Sequence, residues 1–292
     1  MSVPKIKSRF FSFIIVLAIY IVSFAISFWV FGLFDIHFLL SCLLADIAAT
    51  LIIWGFGVIL GNSSLYDPFW SVAPMVLIPF WIFTLKTSLS SFDMLLITAI
   101  FVWGIRLTFN WAKRWRGMPH EDWRYIKLKK NNPKLWFFTN LIGINLMPTL
   151  IVFTALIPAY FGIISERSSG FLSVLGFVIC VFSIFIQTVS DIQMDIFKKN
   201  KSKSSEFIDS GLWRYSRHPN YFAEILFWWG IWVLQMGVNP GIWITVIGPV
   251  IVSALFIFIS IPMMEKHILS SKPSYSAYRK RVSMLFFWFR AE

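Results

Sequence analysis

Charged side chains are scarce in this sequence. Asp, Glu, Lys and Arg together account for 14% of the 292 residues, whereas 58% are hydrophobic and 19% are aromatic. A soluble domain carries about 25% charged and about 45–50% apolar residues. The composition therefore excludes an ordinary water-soluble globule, and it also excludes a disordered or collagen-like chain.

Cysteine is almost absent, with only Cys42 and Cys180, each inside an apolar run. There is no CxxC pair and no His/Cys pair at metal-ligand spacing, which excludes a disulfide scaffold and leaves a zinc or haem site without support. The P-loop, GxSxG and HExxH motifs are missing as well. The nearest approach to a dinucleotide fingerprint, from Gly55 to Gly61, lies within an apolar run and is typical of helix packing in membranes.

Long hydrophobic runs dominate the chain, which has a mean hydropathy of +0.72. A run of about 20 apolar residues is long enough to cross a bilayer as a helix. The first run follows a basic N-terminus and is too long for the core of a signal peptide, so we expect it to be retained as a span. The sequence predicts an all-α polytopic membrane helix bundle with about eight transmembrane helices, near residues 10–34, 37–61, 69–85, 92–115, 136–164, 169–194, 221–238 and 241–264.

The basic residues are distributed unequally between the loops. Of the 26 Lys and Arg, 23 fall on one side of the predicted map, namely before the first span, in segments 113–135 and 195–220, and after the last span. The other side receives Lys86 and Arg167. Because cytoplasmic loops carry the excess of positive charge, both termini and both segments are predicted to be cytoplasmic. The net charge of +12 is thereby explained without a nucleic-acid partner.

Several polar side chains fall within the predicted spans. Gln187, Asp191 and Asp195 follow one another at intervals of four, so they share one face of a helix. Arg106 and Glu224 each lie at least about 5 Å inside a predicted helix end. Ionisable residues at such depth are costly and mark either function or an internal ion pair.

Other polar residues near the spans have a simpler interpretation. Asp195, Lys198 and Arg114 stand at helix ends, where we expect them to lie among the lipid headgroups. Asp46 lies deep in the second span and is a candidate partner for Arg106. Such a pair would be either structural or functional, and the sequence favours neither.

The densest polar segment is a loop that opens a helix, Gly211 to Glu224. Pro219 is favourable in the first turn of a helix, whose N-terminus adds amide donors and positive potential. Arg214 and Arg217 beside such a terminus form a site for phosphate or carboxylate. A basic juxtamembrane loop with aromatic anchors is the alternative, but it does not require the Arg-His-Pro-Asn-Tyr order or a buried Glu224.

The tail after the last span combines Glu265, Tyr275 and Tyr278 with a basic cluster. The two tyrosines and the cations could close over a bound nucleotide. An amphipathic segment lying on the membrane surface would have the same composition. The tail taken alone supports both interpretations equally.

The loop and this tail resemble the C-terminal signature of the steroid 5-alpha-reductase superfamily. Three further stretches, 66–74, 103–107 and 121–125, resemble its DUF1295 group in particular. The resemblance covers about residues 37–290, so we expect an N-terminal basic segment and first span over 1–36 and a reductase-like membrane domain over 37–292. A similar Arg-His-Pro loop and tail occur in isoprenylcysteine carboxyl methyltransferases, which bind S-adenosylmethionine.

The resemblance implies a membrane enzyme that moves hydride from NADPH to an activated double bond of a lipid or steroid-like substrate. Asp67 matches the acid that polarises the substrate carbonyl, and Arg106 is the second catalytic candidate. Trp103 stands where the partner tyrosine of that acid is expected, and its indole offers only an N–H donor. The residues that the resemblance assigns to the cofactor are Gln187, Asp191, Lys198, Tyr215, Arg217, His218, Asn220, Glu224 and Tyr275.

Two other functions stay open at this point. The first is an S-adenosylmethionine-dependent methyltransferase, although the cations Lys198, Arg214 and Arg217 favour a dinucleotide with its additional phosphates. The second is a non-catalytic lipid-binding membrane protein. The expected partners are a hydrophobic substrate and membrane lipids, with no nucleic acid and no metal. The loop resembles bacterial versions, which favours a bacterial inner membrane, or the endoplasmic reticulum in a eukaryote.

Overall fold

A computed structural model describes residues 8–86, 88–165, 167–201 and 205–289. Within these ranges the protein is helical, and the one β-type pairing is an isolated bridge between Ser216 and Ser283. The predicted all-α polytopic bundle is confirmed. The helices are α1 (Arg9–Phe31), α2 (Phe38–Leu60), α3 (Phe69–Leu85), α4 (Ser91–Arg114), α5 (Trp123–Asn131), α6 (Pro133–Ile163), α7 (Phe171–Asn200), α8 (Pro219–Met236), α9 (Pro240–Ser271) and α10 (Tyr275–Arg281).

Seven helices in the described part of the chain are long and apolar enough to cross a membrane. They are α1, α2, α3 with the turn before it, α4, α6, α7 and α9. The remaining predicted span, 221–238, corresponds to α8, whose 18 residues would measure about 27 Å. Glu224 and Gln235 are both buried on α8 and lower its hydropathy. The count by length and composition is therefore one below the predicted eight.

The chain divides into two compact units, each described by itself. Unit 1 consists of the residues up to Phe83 together with Ile100–Thr154. Its core joins α1, α2 and the start of α3, where Tyr20, Ile53, Leu65 and Phe69 are buried together. The Tyr20 hydroxyl donates to the carbonyl of Leu65 at 2.8 Å, so the short turn before α3 is fixed to α1.

Unit 2 consists of Thr84–Ala99 and the residues from Ala155 onward. Its centre is the pair formed by α7 and α8, whose backbones approach closely. A Cβ on Gly176 would lie 2.2 Å from the Leu234 nitrogen, and one on Gly237 would lie 2.2 Å from the Ser173 nitrogen. Small residues permit this contact, as they do between membrane helices generally. The close packing sets the register of α7 against α8 and so positions the side chains between them.

The membrane orientation is a prediction that cysteine labelling can test. The native Cys42 and Cys180 are both buried, so they should give little background. We expect Ser88→Cys and Ser168→Cys to react with a membrane-impermeant maleimide added outside, and Ser210→Cys to react only from the cytoplasmic side. Labelling of the first two variants from the cytoplasm would overturn the predicted orientation of both termini.

Candidate functional site

Asp67 of unit 1 lies beside a tyrosine. It precedes α3 by two residues, and the Tyr125 hydroxyl of α5 donates a hydrogen bond to its Oδ1. Tyr125 is buried. Trp103, which aligns with the expected tyrosine, is instead packed edge-on against Trp70 with ring centroids 6.1 Å apart. The structure thus supplies an acid–tyrosine pair, but from a different part of the sequence.

Two loops of unit 1 hold Asp67 and Tyr125 together. The Asn62 amide donates to the carbonyls of Met118 at 2.8 Å and His120 at 3.0 Å. The Ser63 backbone N–H donates to Glu121 Oε1 at 2.8 Å. A buried polar group requires a hydrogen-bond partner, so these bonds hold the two loops in a defined position relative to each other. The loop before α3 is therefore tied to the loop before α5.

Asp122 caps the N-terminus of α5 and orients the residues that follow. Its Oδ1 accepts from the Arg124 backbone N–H at 2.8 Å, an N-cap bond, and from Arg124 Nε at 2.8 Å. Burial raises the pKa of Tyr125, and the charge of Asp67 raises it further. The phenol therefore stays protonated at neutral pH and holds a proton next to the acid. Arg106, the other catalytic candidate, lies partly buried on α4.

A buried carboxylate on α8 is the main polar feature of unit 2. Glu224 is 4% exposed and accepts from Gln187 Nε2 at 2.7 Å and from Trp228 Nε1 at 3.1 Å. The sequence predicted that the basic residues of the loop would be the partners of Glu224. These two contacts come instead from an amide on α7 and from an indole one turn further along α8. The first contact joins Glu224 to Gln187, and the resemblance assigns both residues to the cofactor.

Gln187 carries an acceptor that is not used by the described part of the protein. Its Oε1 is buried and has no hydrogen-bond partner there, although its Nε2 is bonded to Glu224. A buried polar atom without a partner is rare and costs about 1–3 kcal/mol, so it indicates a place where a donor from a ligand would be favourable. Asp191 lies one turn further along α7 and Asn220 in the first turn of α8, both partly buried.

Glu265 of α9 contacts basic side chains of both the loop and the tail. Its Oε1 accepts from Arg217 Nε at 2.8 Å and lies 3.2 Å from His218 Nε2, while its Oε2 lies 3.7 Å from Arg279 Nε. Arg217 also donates through one terminal nitrogen to the carbonyls of Arg279 and Val282. Arg217, predicted to bind phosphate, thus holds the tail against the loop.

Backbone hydrogen bonds also join the tail to the loop. The Arg217 N–H donates to the Ser283 carbonyl at 2.9 Å, and the Trp288 N–H donates to the Tyr215 carbonyl at 3.2 Å. Tyr275, assigned to the cofactor, is buried against Phe207 with ring centroids 5.4 Å apart, and burial raises its pKa. Tyr215 and Lys198 are exposed. The tail is folded against the protein in this unit.

Most of this chain matches one family model. The model of a family described as "Protein of unknown function (DUF1295)" matches residues 53–282. The chain belongs to the DUF1295 family. The match includes Asp67, Tyr125, Glu224 and Glu265, so both polar clusters lie within the DUF1295 region.

A fission-yeast protein is similar to this DUF1295 chain. "Uncharacterized protein C594.04c" of Schizosaccharomyces pombe is 24% identical over 222 residues. The alignment covers 67% of this chain and 62% of the relative, so the chain spans less than two thirds of that protein's length. No solved structure matches the chain. In the described residues no group of three or more His, Cys, Asp or Glu is placed to hold a metal ion.

The Glu265 contacts predict a pH dependence of stability. Burial lowers the pKa of His218, although the contact with Glu265 opposes this. In the unfolded chain the imidazole of His218 becomes protonated near pH 6.5. In the folded protein it stays neutral to a lower pH. Acidification through that range then favours unfolding. We expect thermal midpoints measured from pH 7.5 to 5.0 to fall more for the wild type than for His218→Gln. Parallel pH curves for the two proteins would contradict the prediction.

Proposed function

We propose that this protein is a membrane oxidoreductase that transfers hydride from NADPH to an activated double bond of a lipid or steroid-like substrate. The hydrogen-bonded pair of the partly buried Asp67 and the buried Tyr125 is the observation that carries the proposal. Methyl transfer from S-adenosylmethionine needs no proton donor at a developing oxyanion. Reduction of an enone does, because hydride addition places negative charge on the carbonyl oxygen.

Unit 1 would supply the proton. A substrate carbonyl that accepts a hydrogen bond from Tyr125 would be polarised, and Asp67 would hold the phenol in place. Burial of Tyr125 limits the access of water to its hydroxyl, which strengthens the electrostatic effect of the pair on the developing charge. Asn62 and Asp122 would act as positioning residues, since they fix the loops from which the pair projects.

Unit 2 would hold the cofactor, which supplies hydride when bound. The free acceptor of Gln187 and the carboxylate of Glu224 fit a ligand that carries amide or hydroxyl donors, as a nicotinamide nucleotide does. Arg217 and His218 would act by holding the loop closed against the tail. The residues proposed to bind or support NADPH are Gln187, Asp191, Lys198, Tyr215, Arg217, His218, Asn220, Glu224 and Tyr275.

NADPH titration of Glu224→Gln tests this assignment. The variant keeps the shape of the side chain and removes its charge, so it should fold. A charged hydrogen bond contributes about 1.5–3 kcal/mol, so the NADPH dissociation constant should rise by about ten-fold or more. The readout is the fluorescence of NADPH added to purified protein in nanodiscs.

Asp209→Asn is the matched control, because it removes an exposed negative charge from the same unit. It should leave the affinity unchanged. An unchanged affinity in Glu224→Gln would remove Glu224 from the site. Saturable binding of S-adenosylmethionine without binding of NADPH would replace the reductase by the methyltransferase.

The location forms part of the same proposal. The protein is a multi-pass membrane protein, and the bacterial version of the loop favours the bacterial inner membrane. The fission-yeast relative comes from a eukaryote, in which the endoplasmic reticulum would be the corresponding membrane. In either membrane the 23 basic residues would face the cytoplasm, where NADPH is available.

A further inference from the structure

A cavity of about 250 Å³ lies within unit 1 among α1, α2 and α3. Its wall consists mainly of phenylalanines and small apolar residues, including Phe24 and Phe31 from α1, Ala49 from α2 and Phe80 from α3. A cavity of about 150 Å³ lined by apolar side chains is already sufficient to bind benzene. The space is therefore large enough for a ring or for several methylene groups of a lipid.

The cavity reaches the outer surface of its helices. Phe28 and Val76 both line it, and they are 67% and 40% exposed. Both belong to helices long and apolar enough to cross a membrane. The surface they present in a membrane is apolar and faces the lipid chains, so a ligand could enter from the bilayer without passing through water.

One acid faces this apolar space. Asp46 of α2 lines the cavity and is 6% exposed. Its carboxyl forms no hydrogen bond or ion pair with any residue that the structure describes. The hydroxyls nearby are already engaged: Thr50 bonds to the Asp46 backbone carbonyl and to Thr149, and Ser27 bonds to the Ser23 carbonyl.

The chemistry of an isolated acid in hydrocarbon limits the ligand. An unpaired carboxylate is costly there, so the group is neutral unless a ligand compensates it. A neutral carboxyl both donates and accepts one hydrogen bond, and a hydroxyl complements both functions. A cation would have to lose its own hydration as well, and a buried ion pair then yields little net stabilisation.

We propose that this cavity binds a neutral lipid alcohol, with its hydroxyl at Asp46 and its chain emerging between Phe28 and Val76. The site lies wholly within unit 1 and does not depend on the proposed reductase activity. The ligand must carry one hydroxyl group and an apolar hydrocarbon portion. A sterol and a linear alcohol share that chemistry, and competition between them distinguishes the two.

Photo-crosslinking in nanodiscs tests the site with three probes of equal length. Each is a ten-carbon diazirine chain that ends in a hydroxyl, a methyl or an amine. Mass spectrometry locates the labelled peptides. A net hydrogen bond contributes about a five-fold preference, so the alcohol should label segments 24–31, 42–49 and 76–80 about five times more than the alkane. Unlabelled cholesterol and decanol are the two competitors.

Two pairs of variants isolate the determinants. Asp46→Leu should remove the preference for the alcohol, whereas Asp46→Asn keeps a donor and an acceptor and should retain it. Val76→Trp narrows the mouth and should reduce labelling by the alcohol. Val58→Trp replaces an exposed valine of α2 that does not line the cavity, and it should leave labelling unchanged.

Equal labelling by the alcohol and the alkane in the wild type would overturn the proposal. A preference for the amine that disappears in Asp46→Asn would replace the neutral alcohol by a cationic ligand and would overturn it too. Unchanged labelling in Val76→Trp would show that the probe binds elsewhere. The comparison of probes on the wild type and on Val76→Trp decides the question even if Asp46→Leu fails to fold.

Discussion

Glu265→Ala is expected to lower the thermal midpoint of the protein by about 10 °C. Glu265 lies 2.8 Å from Arg217 Nε and 3.2 Å from His218 Nε2, and its side chain is largely buried. Deleting one partner of a buried ion pair costs about 3–5 kcal/mol, because the remaining charge is left without compensation. For a protein of this size each kcal/mol corresponds to about 2–4 °C. Thermal unfolding in detergent micelles measures the change.

Lys266→Ala is the control for this experiment. Lys266 is the next residue of α9 and is exposed, so its removal should leave the midpoint unchanged. Glu265→Gln should give an intermediate value, since the amide oxygen still accepts from Arg217. Equal midpoints for Glu265→Ala and Lys266→Ala would show that the carboxylate does not hold the loop and the tail together.

Tyr125→Phe is expected to reduce kcat by about 10²-fold or more. A positioned general acid contributes about 10²–10⁴-fold to a reaction, and the substitution removes only the hydroxyl that is bonded to Asp67. NADPH oxidation with a 4-en-3-one steroid or an unsaturated ketolipid gives the rate. NADPH affinity should be unchanged, because the residue is assigned to proton donation and not to the cofactor.

A second buried tyrosine of unit 1 serves as the matched control. Tyr20→Phe also removes a buried hydroxyl, the one that donates to Leu65, and it should affect stability more than turnover. Asp67→Asn should reduce kcat as Tyr125→Phe does, since both belong to one pair. Normal turnover in Tyr125→Phe with intact NADPH binding would exclude the pair from catalysis.

The membrane helices could be predicted from the sequence because the signal is local. An apolar run of sufficient length has few alternatives to a transmembrane helix, since its backbone must satisfy its own hydrogen bonds in lipid. Seven of the eight predicted runs correspond to such helices. The run near 221–238 is ambiguous because buried Glu224 and Gln235 make α8 less apolar than a typical span.

The partners of the polar residues could not be predicted in the same way. Tyr125 is 58 positions from Asp67, and Glu265 is 48 positions from Arg217. Their proximity results from tertiary packing, which spacing along one helix does not report. The stretch 121–125 entered the sequence analysis only as part of the family resemblance, and only the fold shows that its tyrosine donates a hydrogen bond to Asp67.

The backbone pairing between the tail and the loop also has a consequence for biosynthesis. Ser283 and Trp288 follow all the membrane helices in the chain, so they leave the ribosome after every span has been made. Until then Arg217 and Tyr215 lack the hydrogen bonds that these residues provide. Insertion into the bilayer and completion of the loop are therefore separate events in time. Synthesis that stops before residue 283 would yield an inserted protein whose loop keeps its contacts with Glu265 but lacks the backbone pairing with the tail.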